Sequence, residues 1–112
     1  MKIDNYQFGK LQIGTKTYTR DLVLFPDHIQ ENWIRQTGHL LRETDIPEVL
    51  QEKPELVVIG TGKFGLMKVP EKVREKLTKE NIDYIVAPTA VAVQRYNQLQ
   101  TQNKVGLFHL TC

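Results

Sequence analysis

"ELVVIGTGKFGLMKVPEKV" (residues 55–73) decides how the chain folds. Its first half is apolar at four consecutive positions, Leu56 to Ile59. A strand of that kind needs cover on both faces, as inner parallel strands have. Its second half opens a helix at Pro70-Glu71, where Val69, Val73 and Leu77 recur four residues apart. Asn81 is a left-handed stop for that helix, and "IDYIVA" (82–87) is a further strand. Strand 55–59, helix 70–80 and strand 82–87 therefore form a βαβ unit with parallel strands and a right-handed crossover.

The turn inside this unit, Gly60-Thr61-Gly62-Lys63-Phe64-Gly65, spells G-x-G-x-x-G. In a dinucleotide-binding fold the glycines open the helix itself, and an acid follows at the end of the next strand. Here "LMKV" separates Gly65 from the helix, and the next strand ends in Val86-Ala87-Pro88. A Walker loop would need Ser or Thr after Gly62-Lys63, where Phe64 stands. The pattern therefore reads as a turn that lets the chain leave a buried strand, with no cofactor implied. Gly60 or Gly62 is expected to have positive φ, or to lie where a Cβ would clash. A narrower functional reading remains for this edge. Backbone amides of Gly60, Thr61 and Gly62 and of the helix starting at Thr89, with Lys63 and Lys68, form a candidate site for a small anion or metabolite, in a binding protein or an enzyme.

On either side of this unit the pattern is simpler. "TDIPEVLQEKPE" is a short helix that ends at Pro54, and Thr89 caps a third helix with Ala92, Tyr96 and Leu99 along one stripe. "KVGLFHLT" (104–111) is the last strand. Upstream, residues 4–36 read as a three-stranded antiparallel meander. "IGTKT" is a hairpin turn, and the parity switch around Gly9-Lys10 reads as a bulge or bend. In "YTRDLVLFP", Tyr18, Leu22 and Leu24 share one face, Val23 and Phe25 the other. The third strand, 28–36, would place Trp33 and Arg35 on one face, a candidate partner patch or cation–π pair; the plainer reading is a Trp that covers the core. Arg20 and Asp21 read as solvated hairpin charges.

The 112 residues suit one domain, 1–112, that buries about two-thirds of its unfolded surface. The net charge is only +2, with acids and bases mixed throughout, so no nucleic-acid face is expected. No segment approaches the roughly 20 apolar residues of a membrane span, and "MKIDNYQFGK" has neither a signal-peptide core nor the Arg-rich bias of a presequence. With Cys112 the lone cysteine, no intrachain disulfide forms and a cytoplasmic setting is expected. His109 and Cys112 are too few for a structural metal site. Three residues apart on a strand, they would point to opposite faces, which argues against a thiol–base pair.

"VVIGTGKFGLMKVP", "APTAVAVQRYNQL" and "VGLFHLTC", with "NWIRQTGH" upstream, occur in order across nearly the whole chain. As a set they resemble the small domain-of-unknown-function family of the adipogenesis-associated Mth-type domain protein, to which a mitochondrial complex I assembly factor is distantly related. Archaeal and bacterial members are stand-alone domains of this size, and the chain is similar to those. The resemblance implies a three-layer α/β domain in which a central mixed sheet carries the N-terminal meander. It supplies no catalytic residue and no cofactor. It implies a non-enzymatic binding or assembly module whose partner is another protein or a second copy.

Overall fold

The computed structural model describes residues 1–112. Two sheets are present. The first is a meander of β1 (Asn5–Gln7), β2 (Lys10–Ile13) and β3 (Lys16–Tyr18), paired antiparallel in sequence order. The second is mixed and contains β4 (Leu22–Leu24), β5 (Ile29–Gln30), β6 (Leu56–Thr61), β7 (Asp83–Ala87) and β8 (Lys104–His109), in the order β5-β4-β8-β6-β7. The helices are α1 (Pro47–Glu52), α2 (Glu71–Lys79) and α3 (Thr89–Gln98).

The βαβ unit lies where the sequence places it. β6 runs parallel to β7, with Val58 opposite Ile85. β8 then inserts on the other side of β6, also parallel, and so becomes a central strand flanked by β6 and β4. Two cores follow from strand alternation. Val57, Ile59, Val105 and Leu107 face a layer with Val73 and Leu77 of α2, Val49 of α1, and Trp33. Val58 and Phe108 face the opposite layer, where Ala92, Val93 and Tyr96 of α3 meet Leu11 and Tyr18 of the meander. The expected parity in "YTRDLVLFP" holds: Tyr18, Leu22 and Leu24 pack in the α3 core, Val23 and Phe25 in the other.

The meander's boundaries differ from the expectation. In place of a bulge around Gly9-Lys10, Phe8-Gly9 is a complete two-residue hairpin turn, with Gly9 at φ 76° and Gln7 opposite Lys10. The apolar run 18–25 is broken at Thr19–Asp21, where the chain passes from one sheet to the other, so Tyr18 and Leu22 belong to different sheets. The strand expected over 28–36 lasts only two residues, because Asn32 turns left-handed at φ 54°. Asp21 draws this segment in, its carbonyl accepting the Trp33 amide at 2.8 Å.

α2 follows its sequence signals, with Pro70 as N-cap and Asn81 left-handed at φ 62° just past the end. Lys104 closes α3 at the other end: its ammonium donates to the carbonyls of Tyr96 at 2.7 Å and Leu99 at 3.1 Å. A cation there neutralises the negative end of the helix.

Candidate functional site

The chemistry of the fold gathers at the carboxyl ends of β6, β7 and β8. Gly62 leaves β6 at φ 102°, and a Cβ on it would lie 2.2 Å from the Cys112 carbonyl carbon and 2.8 Å from His109 Cδ2. Only a glycine admits residues 111–112 across this turn, which are held by the Lys63 amide on the Thr111 carbonyl (2.6 Å) and the Leu66 amide on the Cys112 carbonyl (3.0 Å). Gly60 is also constrained, with Thr89 Oγ1 at 2.9 Å from its ideal Cβ. Gly62→Ala should therefore destabilise by about 1–2 kcal/mol, from left-handed strain plus the displaced cover. A urea midpoint unchanged from the parent would show that neither constraint exists.

Thr89 is buried at the first turn of α3, with Pro88 at the N-cap and no capping bond from the Thr89 side chain. The sequence expectation of a Thr89 cap is thus corrected. Its hydroxyl instead accepts the Gly62 amide at 2.8 Å and donates to the His109 carbonyl at 2.6 Å. One side chain so joins the ends of β6 and β8 to α3. The Thr89 amide is used as well, on the Gly62 carbonyl at 3.0 Å, and Thr61 Oγ1 donates to the Ala87 carbonyl at 3.1 Å.

These bonds bear on the anion reading. Gly60, Thr61, Gly62 and Thr89 are brought together, but the amides of Gly62 and Thr89 are spent inside the chain. The two lysines are exposed. Lys68 sits on the extended link to α2, its amide on the His39 carbonyl at 2.8 Å. Backbone donors that already have buried acceptors do not turn to a solvent anion without losing those bonds. The loop geometry therefore gives the anion site no support.

Beside this junction lies a polar cluster that the sequence reading missed. Asp21 Oδ2 lies 2.8 Å from both His109 Nδ1 and Arg35 Nη2, and Oδ1 accepts the Leu110 amide at 2.8 Å. The side chains of Arg35 and His109 are only 4% and 6% exposed. Asp21 is thus a mostly enclosed anchor and not a solvated hairpin charge. Burial alone pushes its carboxyl up, but bonds from His109, the Leu110 amide and Arg35 outweigh it and hold the group below its ordinary value. Arg35 Nη2 also lies 3.1 Å from His109 Nδ1. That nitrogen cannot both accept from Arg35 and donate to Asp21. The carboxylate is the stronger acceptor, so Nδ1 carries the proton.

The result is the orienting half of a catalytic dyad without its other half. His109 Nε2 is buried with no partner, as is Arg35 Nη1. The Thr89 hydroxyl bonds the His109 carbonyl rather than its ring. Cys112 does turn back toward His109 across Gly62, because the strand ends at His109 and alternation no longer governs it. No hydrogen bond joins that thiol to the imidazole, so no nucleophile is assembled here.

Trp33 and Arg35 form the expected cation–π pair, with the guanidinium 4.7 Å from the ring centroid. They do not form a partner patch. Trp33 is 4% exposed and its indole N–H donates to the Asp45 carbonyl, so both side chains are consumed in the fold. Ile34, between them, is the most exposed large apolar side chain, at 83%; the other exposed apolar groups lie elsewhere. Phe64, at the tip of the glycine turn, is 68% exposed and Leu66 beside it 48%. Phe8, in the first hairpin turn, is 48% exposed, its ring centroid 6.5 Å from that of Phe64. A lone phenylalanine between Lys63 and Gly65 gave no sequence signal of this pairing, since its partner is more than fifty residues away. No helix is long and apolar enough to cross a membrane.

Comparison with known proteins agrees with this architecture. A family model described as a protein of unknown function (DUF498/DUF598) matches residues 3–109. The conserved hypothetical protein PH1505 from Pyrococcus horikoshii OT3 is 25% identical, with a TM-score of 0.87 over 100% of both chains. An outer membrane protein from Bartonella henselae is 27% identical, with a TM-score of 0.82 over 98% of this chain and 94% of that one. A Mth938-like domain from Bordetella pertussis shares the fold at 18% identity, with a TM-score of 0.67 over 97% of this chain and 85% of that one.

Proposed function

Because the chain belongs to the family of proteins of unknown function DUF498/DUF598, we propose its role from its own surface: it is a non-enzymatic protein-binding module. The observation that carries this reading is the Phe8–Phe64 pair, two rings left in water side by side on different turns. Fully burying one such side chain is worth about 1.5–3 kcal/mol, and aromatic anchors of this kind dominate protein interfaces. Nearby, Asp21 holds Arg35 and His109 together inside the chain, which ties the linker between the sheets to the end of β8 as a scaffold requires. A cytoplasmic setting remains part of the proposal and rests on the free thiol of Cys112 alone.

Site-specific photocrosslinking in the native host tests it. A benzophenone side chain in place of Phe64 should give discrete protein adducts on illumination. The same group at exposed Glu48, on α1, should not. Absence of any adduct specific to position 64 would remove the protein-binding reading. Adducts to a second copy alone would convert it to self-association.

A further inference from the structure

From the groove beside Phe64, we infer that this surface takes an acidic segment of another protein, carrying at least one large apolar side chain among its carboxylates. This deepens the protein-binding reading and rests on it. The groove has a volume of about 630 Å³ and lies at the carboxyl ends of β6 and β7, walled by Phe64, Lys68, Arg74, Val86 and Pro88. The topology puts it there. β6 leads into α2 on one face of the sheet and β7 leads into α3 on the other, so adjacent chain paths diverge and leave a crevice.

Charge selects the occupant. No acid lines this groove, and its two cations, Lys68 and Arg74, have no carboxylate partner in the chain. Arg74 is held in place, its Nε donating to the Val69 carbonyl at 3.0 Å and its guanidinium 5.8 Å from the Tyr84 ring centroid. A second concavity, of about 470 Å³, shares the Leu40–Pro70 ridge with the first and adds Arg42 and Lys72. Its one acid, Glu43, faces Lys76 at 3.8 Å. The run of unpaired cations thus extends along two hollows, which suits a stretch of chain better than a compact ligand. β7 also forms the free edge of the sheet, so an extended segment entering the groove finds backbone groups with no strand partner on that side. Complementary charge of this kind sets the choice of partner and speeds encounter.

The test extends the photocrosslinking at position 64, with adducts mapped to sequence by mass spectrometry. Crosslinked partner segments should carry net negative charge and a large apolar residue. Lys68→Glu with Arg74→Glu should lower adduct yield at least tenfold. Lys68→Glu with Lys72→Glu, which spares the Arg74 contacts, should lower it severalfold without shifting the thermal midpoint. Adducts on neutral or basic segments, on a second copy, or on nuclease-sensitive material would overturn the inference. So would undiminished yield in both charge-reversed variants. Each of those outcomes except the second-copy and nuclease-sensitive ones leaves protein binding itself intact, whereas no adduct in the parent protein would remove that reading.

Discussion

Replacing Asp21 by Ala should destabilise the protein by about 3 kcal/mol, the lower end of the cost of stripping one partner from a buried ion pair. The carboxylate is 16% exposed, so water softens the loss, but Arg35 and His109 behind it are almost fully enclosed. Without Asp21, the Arg35 charge, the His109 Nδ1 proton and the Leu110 amide all lose their acceptor. The three attach the linker between the sheets to the end of β8. The penalty comes from leftover charge, not lost attraction, so Asp21→Leu combined with Arg35→Met should recover more than half of it. The pH dependence has a definite sign. A carboxyl whose folded value lies below its ordinary 3.8 contributes fully above 3.8, and that contribution fades as pH falls through the folded value. Urea midpoints of the parent and of Asp21→Asn should therefore differ most near neutrality and converge in acid. A neutral-pH difference under about 1 kcal/mol would match a surface pair and show that the cluster does not hold the sheets together.

That cluster was not legible in the sequence, and the reason is physical. Its members are positions 21, 35 and 109, joined only by tertiary packing, and each taken alone resembles an ordinary polar residue. A signal was nonetheless present. Asp21 stands directly before the three buried residues of β4, and His109 is flanked by Phe108 and Leu110, where a solvated charge is out of place. By contrast, the βαβ unit was legible because its forces are local. A both-faced apolar strand, a helix with one buried stripe and a left-handed stop each follow from neighbours in the chain. The strand expected over 28–36 forms only at Ile29–Gln30, because apolar alternation at Ile29 and Trp33 does not by itself require pairing as far as Trp33. Those side chains are drawn in by the two separate cores, without a ladder between them. The surface that carries the proposed function was the least legible part, since Phe8 and Phe64 meet only when two turns converge.

Gly106→Ala should cost about 3 kcal/mol, more than the same change at Gly62, although Gly106 has no positive φ. An added Cβ there would lie 2.4 Å from Phe108 Cε2 and 3.3 Å from Tyr96 Cδ1. Gly106 and Phe108 share one face of β8, and the Phe108 ring folds back over the bare glycine, meeting Tyr96 of α3 edge-on at 5.8 Å between centroids. The ring has nowhere else to go. Phe108 and Tyr96 are 0% and 1% exposed, and β8 is fixed by β4 on one side and β6 on the other. Overpacking a site of this kind costs about 1–3 kcal/mol, at the upper end where the surroundings cannot yield. At Gly62 the nearest obstruction is the short segment 111–112, outside the sheet, which moves at the loss of two backbone bonds, and only the edge of the His109 ring lies behind it at 2.8 Å. The discriminating variant is Gly106→Ala with Phe108→Leu. Trading the ring for a smaller side chain makes room for the methyl, so the double variant should be more stable than the sum of the two single losses by about 1 kcal/mol or more. Strictly additive losses, read from urea unfolding followed by circular dichroism, would show that the ring does not occupy the space the glycine leaves.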